Sequence, residues 1–278
     1  VSERDVIEAT ERPATRASLT ADLRALGISA GDVMAVHSSM AALGYVVGGP
    51  QAVVEALLDA VGPTGTLTMP GHSSDWSDPA QWQHPPVPSS WWDTMREHMP
   101  AFDPHLTPTR QMGAIVETFH RVPGVRRSSH PMVSHLAFGP DADLIVTDHA
   151  LDDGFGERSP LARLHDLDAV VVLLGVGHAN NTSLHLAEHR AVWEGKAWSA
   201  QGAPVLVDGE RRWVTFDDLD SDSADFEAVG AAFAATGGVR SGTVGAAPAR
   251  AMSQRALVDF AADWFTRHRP GSLGSAAD

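Results

Sequence analysis

The sequence predicts an α/β protein: a single mixed-sheet domain with a parallel core, an added antiparallel hairpin and flanking helices. Three observations predict it. Residues 33–36, a helix opened by Pro50 and residues 66–69 read as strand, helix, strand, a spacing that leaves the two strands parallel. Residues 169–177 form an apolar run, as expected of a strand buried on both faces. Asp208-Gly209 stands between Val205-Leu206-Val207 and Trp213-Val214-Thr215-Phe216, the signal of a tight hairpin.

Taken in order, residues 1–16 are an N-terminal extension, and the first helix covers 18–26, ended by Gly27. The strand at 33–36 delivers His37, Ser38 and Ser39 at its end. Pro50 opens a helix through Val53, Val54, Leu57 and Leu58, whose spacing makes one apolar face. Gly62-Pro63-Thr64-Gly65 turns the chain into the strand at 66–69. From 72 to 109 the pattern breaks down under seven prolines (79, 85, 86, 88, 100, 104 and 108). A stretch this long without regular structure is functional or disordered. Trp76, Trp82, Trp91 and Trp92 argue against disorder, so a lid or substrate wall is expected. A helix near 111–120, a strand through Ala137 and Phe138, and helices at 141–147 and 160–167 lead to the central strand at 169–174. After the hairpin, helices over 225–234 and 252–268 close a domain that spans 17–268. Residues 269–278, small and polar, are expected to be a flexible tail.

Composition narrows the function. With 35 acidic and 20 basic residues the net charge is −15, a field that repels nucleic acid and attracts polycations. The absence of cysteine excludes disulfides, thiolate nucleophiles and thiolate metal sites. No apolar run approaches the roughly 20 residues of a membrane helix, so no membrane partner is expected. Val1-Ser2-Glu3-Arg4-Asp5 has no signal-peptide character, which makes a cytoplasmic location the expectation.

The segment Asn180-Asn181-Thr182-Ser183-Leu184-His185-Leu186-Ala187-Glu188-His189 follows the apolar run. It places His185 and Glu188 beyond a strand's carboxyl end, where open α/β sheets bind ligands. Two chemistries fit. His185, Glu188 and His189 match the inverted zinc-protease pattern, in which two histidines four apart hold zinc and the Glu is the base. A catalytic zinc needs a third protein ligand, and nothing in the sequence marks one. The other chemistry is metal-free: His185 as a base, with His189 turned to the helix surface. Its carboxylates would come from the run Asp217, Asp218, Asp220, Asp222 and Asp225. Converging on His185, they would raise its basicity, fix its tautomer and make a pocket for ammonium groups. Asp225 reads as an acid favoured at a helix N-terminus, and His37 as a structural hydrogen-bonder.

Further residues extend the pattern along the chain. Val36-His37-Ser38-Ser39, Gly48-Gly49, Gly65-Thr66-Leu67 with Pro70, and Met112-Gly113-Ala114-Ile115-Val116-Glu117 appear in order. Arg127-Ser128-Ser129-His130-Pro131 with Ser134, Ser159-Pro160, and Leu173-Leu174-Gly175-Val176 with Thr182, His185, Ala187 and Glu188 complete the series. The series resembles the aminoglycoside 3-N-acetyltransferase family over about residues 17–268. The resemblance implies acetyl-coenzyme A as donor, an amine of the 2-deoxystreptamine ring as acceptor, and no metal. It carries over His185 as general base, with Asp218 and Asp220 as acidic partners. Asp220 is expected to hold the imidazole, and Asp218 stands where relatives tend to have Glu. No Ser or Cys nucleophile is required, so direct transfer in a ternary complex is expected.

Ser38 and Ser39 have small side chains that let the coenzyme approach, although a turn or helix cap would use the same residues. Ser129, His130 and Val133 lie in a proline-fixed stretch suited to line a pantetheine tunnel. Met112 is a further coenzyme contact or a core residue. Thr182 and neighbouring N–H groups are candidates to polarise the thioester oxygen. Glu188, Asp218, Asp220 and Trp76 are the expected acceptor contacts. A monomer or homodimer is expected. The alternatives are an acyltransferase for a non-antibiotic amine, a zinc hydrolase and a non-catalytic aminoglycoside-binding protein.

Overall fold

Three parallel strands form the centre of the molecule, in a computed structural model that describes residues 3–269. The expected tail beyond residue 269 lies outside the described residues. The strands are β1 (Val33–Ser38), β2 (Thr66–Pro70), β3 (Arg126–Arg127), β4 (His135–Phe138), β5 (Val170–Leu174), β6 (Trp198–Val207), β7 (Glu210–Leu219), β8 (Arg240–Val244) and β9 (Ala247–Ser253). Seven of them make one sheet in the order β3-β4-β2-β1-β5-β9-β8. β1 runs parallel to β2 and β5, with Ala35 opposite Thr68 on one side and Val171 on the other. β4 and β9 flank this core antiparallel. The expected mixed sheet with a parallel core is therefore present. β8 and β9 had no counterpart in the sequence reading.

Ten α-helices are described: α1 (Glu3–Ala9), α2 (Arg16–Ala25), α3 (Gly49–Val61), α4 (Trp92–His98), α5 (Ala114–His120), α6 (Ala142–Val146), α7 (Pro160–Asp166), α8 (Ser183–Arg190), α9 (Phe226–Ala234) and α10 (Gln254–His268). Local chemistry sets several of their ends. Thr15 and Ser18 form a reciprocal capping box at the start of α2. Ser159 caps α7 just ahead of Pro160, and Ser253 caps α10. Ala14 pairs with Val46, so the residues just ahead of 17 pack with the body.

Strand side chains alternate between the two faces. Met34, Val36, Leu67, Met69, Val172 and Leu174 pack against Leu19, Leu23, Leu57 and Phe119 of α2, α3 and α5. Ala35, Val171 and Leu173 pack with residues of α7, α8, α9 and α10, among them Leu161, Leu184, Phe226 and Phe265. Each fully buried side chain of this size contributes roughly 1.5–3 kcal/mol. Two residues beyond Ala35, His37 shares its face and so points toward the α8 side.

The hairpin β6–β7 is a separate two-stranded sheet of ten-residue strands, longer than predicted. Its turn residues Asp208 and Gly209 both have positive φ (53° and 79°), as the tightest hairpin turn requires. The hairpin and the tryptophan-rich stretch hold one another. Phe102 N–H donates to the Pro204 carbonyl (2.9 Å), Gln81 Nε2 to that of Ala200 (2.6 Å), and Arg211 Nε to that of Met99 (3.0 Å). Buried Arg127 ties down both ends of the stretch. It donates to the carbonyls of Gly71 and Thr107 and to the hydroxyls of Ser73 and Ser134, and its guanidinium lies over the Phe102 ring. Burial lowers the pKa of Arg127 to about 10, which leaves it a cation at neutral pH.

Candidate active site

The carboxyl ends of β1, β2 and β5 open into one cleft of about 240 Å3. β1 contributes Val36, His37 and Ser38, and the end of β2 contributes Pro70 and His72. Val176, Ala179, Asn180 and Thr182 enter from the connection after β5, and His185 from α8. Gln111, Met112 and Val116 line the remaining wall. This is where parallel strands diverge and ligands enter open sheets. Gly175, the first residue after β5, has φ +67°, and a Cβ there would lie 2.2 Å from that of Ala42. The turn that carries the chain from β5 toward His185 therefore needs glycine.

His185 and Glu188 are one helical turn apart on α8, a spacing that brings side chains together. His185 Nδ1 and Glu188 Oε2 are 2.5 Å apart. Glu188 is fully buried, a position that a lone carboxylate cannot hold without partners. Its Oε1 accepts from Asp222 N–H (3.0 Å) and from Arg269 Nη1 (2.6 Å). With Glu188 accepting, the imidazole proton sits on Nδ1 and Nε2 is left with a free lone pair. Phe155 stacks on the imidazole at 4.5 Å and 14°, and Phe226 packs at 4.9 Å, so the ring is held on its faces as well.

Other histidines surround this pair. His37, buried and facing His135 and His185, has its pKa lowered to about 3 by burial first and those neighbours second. His72, packed edge-on to His135 and against Phe155, is held well below the usual imidazole range by the same causes. Both are neutral at pH 7.

Of the predicted coenzyme residues, Ser38, Met112 and Thr182 line the cleft with His185. Ser39, Ser129, His130 and Val133 do not. His130 is fully buried, its Nδ1 accepting from Met132 and Val133 N–H and its Nε2 bonded to the Leu151 carbonyl. Val133 packs toward Gly154. Trp76 lies within the 72–109 stretch and donates Nε1 to the Pro100 carbonyl. A second hollow of about 400 Å3 lies between Asp75, Gln81, Trp82, His84 and Arg110, and Arg110 is the chain neighbour of Gln111 in the main cleft.

The carboxylates require corrections. Asp220 was expected to hold the imidazole, but it is exposed and bonded to the Ser199 hydroxyl; Glu188 takes that position. Glu188 was expected to face an acceptor ammonium, yet both its oxygens are occupied inside the protein. Asp218 is half-buried beside Gly154, accepting from its N–H (3.3 Å), and burial pushes its carboxyl up against the opposing backbone bonds. His189 is not a surface residue. Its side chain is 11% exposed and meets Asp153 at 3.3 Å. The zinc pattern would leave Glu188 free to act on a metal-bound water, but that carboxylate is spent on His185, Arg269 and the backbone. Among the described residues no group of three or more His, Asp or Glu is placed to hold a metal ion. Sequence reasoning missed Phe155, His72 and Arg269. The expected tail began at residue 269, whereas Arg269 is bound to Glu188 and Asp225.

The family model for aminoglycoside 3-N-acetyltransferase matches residues 35–266, which contain all but the first two residues of the parallel core and the His185–Glu188 pair. The chain belongs to the aminoglycoside 3-N-acetyltransferase family. Curated relatives agree with that membership. An SPbeta prophage-derived aminoglycoside N(3')-acetyltransferase-like protein, YokD, of Bacillus subtilis is 43% identical over 94% of this chain and 95% of its own. Aminoglycoside N(3)-acetyltransferase VIII of Streptomyces fradiae is 38% identical over 99% and 100%. Two solved structures of this family are ligand complexes. AAC-VIa bound to sisomicin superposes with a TM-score of 0.85 (34% identity, 94% of this chain and 100% of that one). AAC-IIIb as a binary complex with CoASH gives 0.84 (33% identity, 95% and 100%).

Proposed function

We propose that the protein transfers an acetyl group from acetyl-coenzyme A to the 3-amino group of the 2-deoxystreptamine ring of aminoglycosides, directly and with His185 as general base, and so confers resistance to these antibiotics. The observation that carries this reading is His185 in the strand-end cleft with Nδ1 committed to a fully buried carboxylate. The relatives bound to sisomicin and to CoASH support the choice of acceptor and donor.

The chemistry asks for such a base. An alkyl amine with a pKa of about 10 is only ~0.1% neutral at pH 7, so capturing its proton is worth up to ~4 kcal/mol. As the amine nitrogen bonds to the thioester carbonyl carbon, His185 Nε2 takes the proton and Glu188 stabilises the imidazolium. The C–S bond then breaks with its electron pair on sulfur, and the proton held on His185 Nε2 passes to the thiolate, so that the coenzyme leaves as its thiol and the base is restored. No acyl-enzyme forms.

Ser38, Met112 and Thr182 line the donor side in this reading. Asp218 and Asp220 at the foot of the hairpin, with Trp76 and the 72–109 wall, face the polycationic acceptor, in keeping with the net charge of −15. A cytoplasmic location belongs to the same reading, since acetyl-coenzyme A is an intracellular donor.

The test is product identification. Purified protein with acetyl-coenzyme A and a panel of aminoglycosides is expected to release thiol only when an acceptor is present, and NMR of the product is expected to place the acetyl group on N3. Acetylation at another nitrogen, or of a non-antibiotic amine in preference, would redirect the substrate assignment. Stoichiometric zinc with chelator-sensitive hydrolysis would replace it with the hydrolase alternative.

A further inference from the structure

Arg269 follows α10 and lies 81 residues from Glu188 in the chain, yet it is the cation that meets the buried carboxylate. Its Nη1 donates to Glu188 Oε1 at 2.6 Å. Nε and Nη2 grip the two oxygens of Asp225 at 2.7 and 2.5 Å, and Nη2 also donates to the Asp222 carbonyl at 2.8 Å. The guanidinium lies over Phe265 at 4.1 Å and Trp193 at 5.1 Å. Every direction around it is thus specified, and a planar fork of this kind is what arginine offers and lysine does not. Because Arg269 and Asp222 N–H together occupy Oε1, Oε2 is reserved for His185 Nδ1.

We propose that Arg269 is a positioning residue for acetyl transfer: it holds Glu188 turned so that Oε2 meets the His185 proton on Nδ1, with Nε2 free toward the cleft. The inference rests on His185 being the general base. The other charged and titratable groups around the pair do not supply this cation. His37 from β1, His72 after β2 and His135 from β4 are neutral, burial holding each low. Lys196 acts on Glu188 through space, but its ammonium is bonded to the carbonyls of His189 and Ala191 and makes no hydrogen bond to that carboxylate. Asp225 is itself gripped by Arg269, and Asp222 contributes backbone groups.

Removing the cation changes the proton balance of His185 and Glu188 in one direction. Whichever of the two carries an added proton, the pair takes it up more readily once Arg269 is gone. A proton on the pair removes either the free base or its orienting carboxylate, so both outcomes cost activity.

The test uses the full chain with Arg269→Met and Arg269→Lys. Rates of thiol release with acetyl-coenzyme A and an aminoglycoside are measured across pH, together with 15N NMR of the His185 ring in the ligand-free protein and thermal unfolding. For Arg269→Met the acid limb of kcat/KM is expected to move up by about one pH unit, a tenfold loss on that limb. The His185 ring nitrogens are expected to titrate over the same shifted range. Arg269→Lys keeps the charge and is expected to restore most of the limb. If Arg269→Met does not fold, Arg269→Gln takes its place: the same upward shift supports the proposal, and a profile identical to wild type overturns it. A lower Tm with unmoved pH profile and unmoved 15N signals would make Arg269 only a clamp for α10. Full transfer by His185→Ala would instead sink the general-base reading, while the NMR titration would still report whether Arg269 governs the pair.

Discussion

Replacing Glu188 with Gln removes one charge from the buried pair and almost no volume. Arg269 Nη1 and Asp222 N–H both donate to the Oε1 position, at 2.6 and 3.0 Å. The single amide oxygen of the variant must take that place, which turns the NH2 toward His185 Nδ1, 2.5 Å from the present Oε2. An amide N–H donates, so Nδ1 has to accept and the ring proton moves to Nε2, the atom required to be free. The expected consequence is a wrong-tautomer loss of about 10³–10⁴ in kcat, or ~4–5.5 kcal/mol of transition-state stabilisation. Weakening the charge-assisted bonds at a fully buried site is expected to cost ~1–3 kcal/mol of stability. Initial rates of thiol release with both substrates saturating measure the first quantity, and urea unfolding the second. A folded Glu188→Gln protein with kcat within about threefold of wild type would refute the orienting role of Glu188.

Three further outcomes follow from other parts of the molecule. His37, His130 and His135 are pushed down to about 3, 4 and 4, in each case by burial first. The unfolded chain therefore binds more protons below about pH 6.5, and stability is expected to fall as pH drops toward 4 by up to ~1.4 kcal/mol per pH unit for each histidine; a urea midpoint that stays constant from pH 7 to 5 would contradict this. Arg127→Met leaves the Thr107 carbonyl without its buried donor and the Gly71 carbonyl with the Ser134 hydroxyl alone. A loss of about 3 kcal/mol is expected, with cleavage concentrated in 72–109 on limited proteolysis; a stretch as resistant as wild type would count against the anchoring role. A Cβ on Gly154 would lie 2.7 Å from Asp218 Oδ2 and 2.9 Å from Val133 Cγ2, so Gly154→Ala is expected to lose ~1–3 kcal/mol in thermal unfolding, and an unchanged Tm would show that the hairpin foot yields freely.

The parallel core was legible because its signals are strong and local. Residues 169–174 are uninterrupted apolar, and the unit around Pro50 has turn residues at both ends. β8 and β9 were not legible, because Gly242, Pro248 and the alanines of β9 carry little strand preference. Ala249 and Ala251 are small where β9 lies beside β5 and both faces are covered. The site divided in the same way. His185 stood out through its place after a strand, and the i, i+3 spacing to Glu188 was in plain view. The acidic run drew attention away from that spacing, since carboxylate density marks a solvated loop as readily as a catalytic partner. Arg269 could not be found from sequence, because its contact with Glu188 depends on where α10 ends in space. His189 looked like a surface position for want of any sign that Asp153 would close over it.

The account stands on His185 acting as the base for acetyl transfer. Its most direct test is kcat of His185→Gln measured near pH 7, on protein shown to be folded, with acetyl-coenzyme A and an aminoglycoside both saturating. Loss of the base is expected to lower kcat by about 10²–10⁴. Transfer to the 3-amino group at the wild-type rate would contradict the central claim.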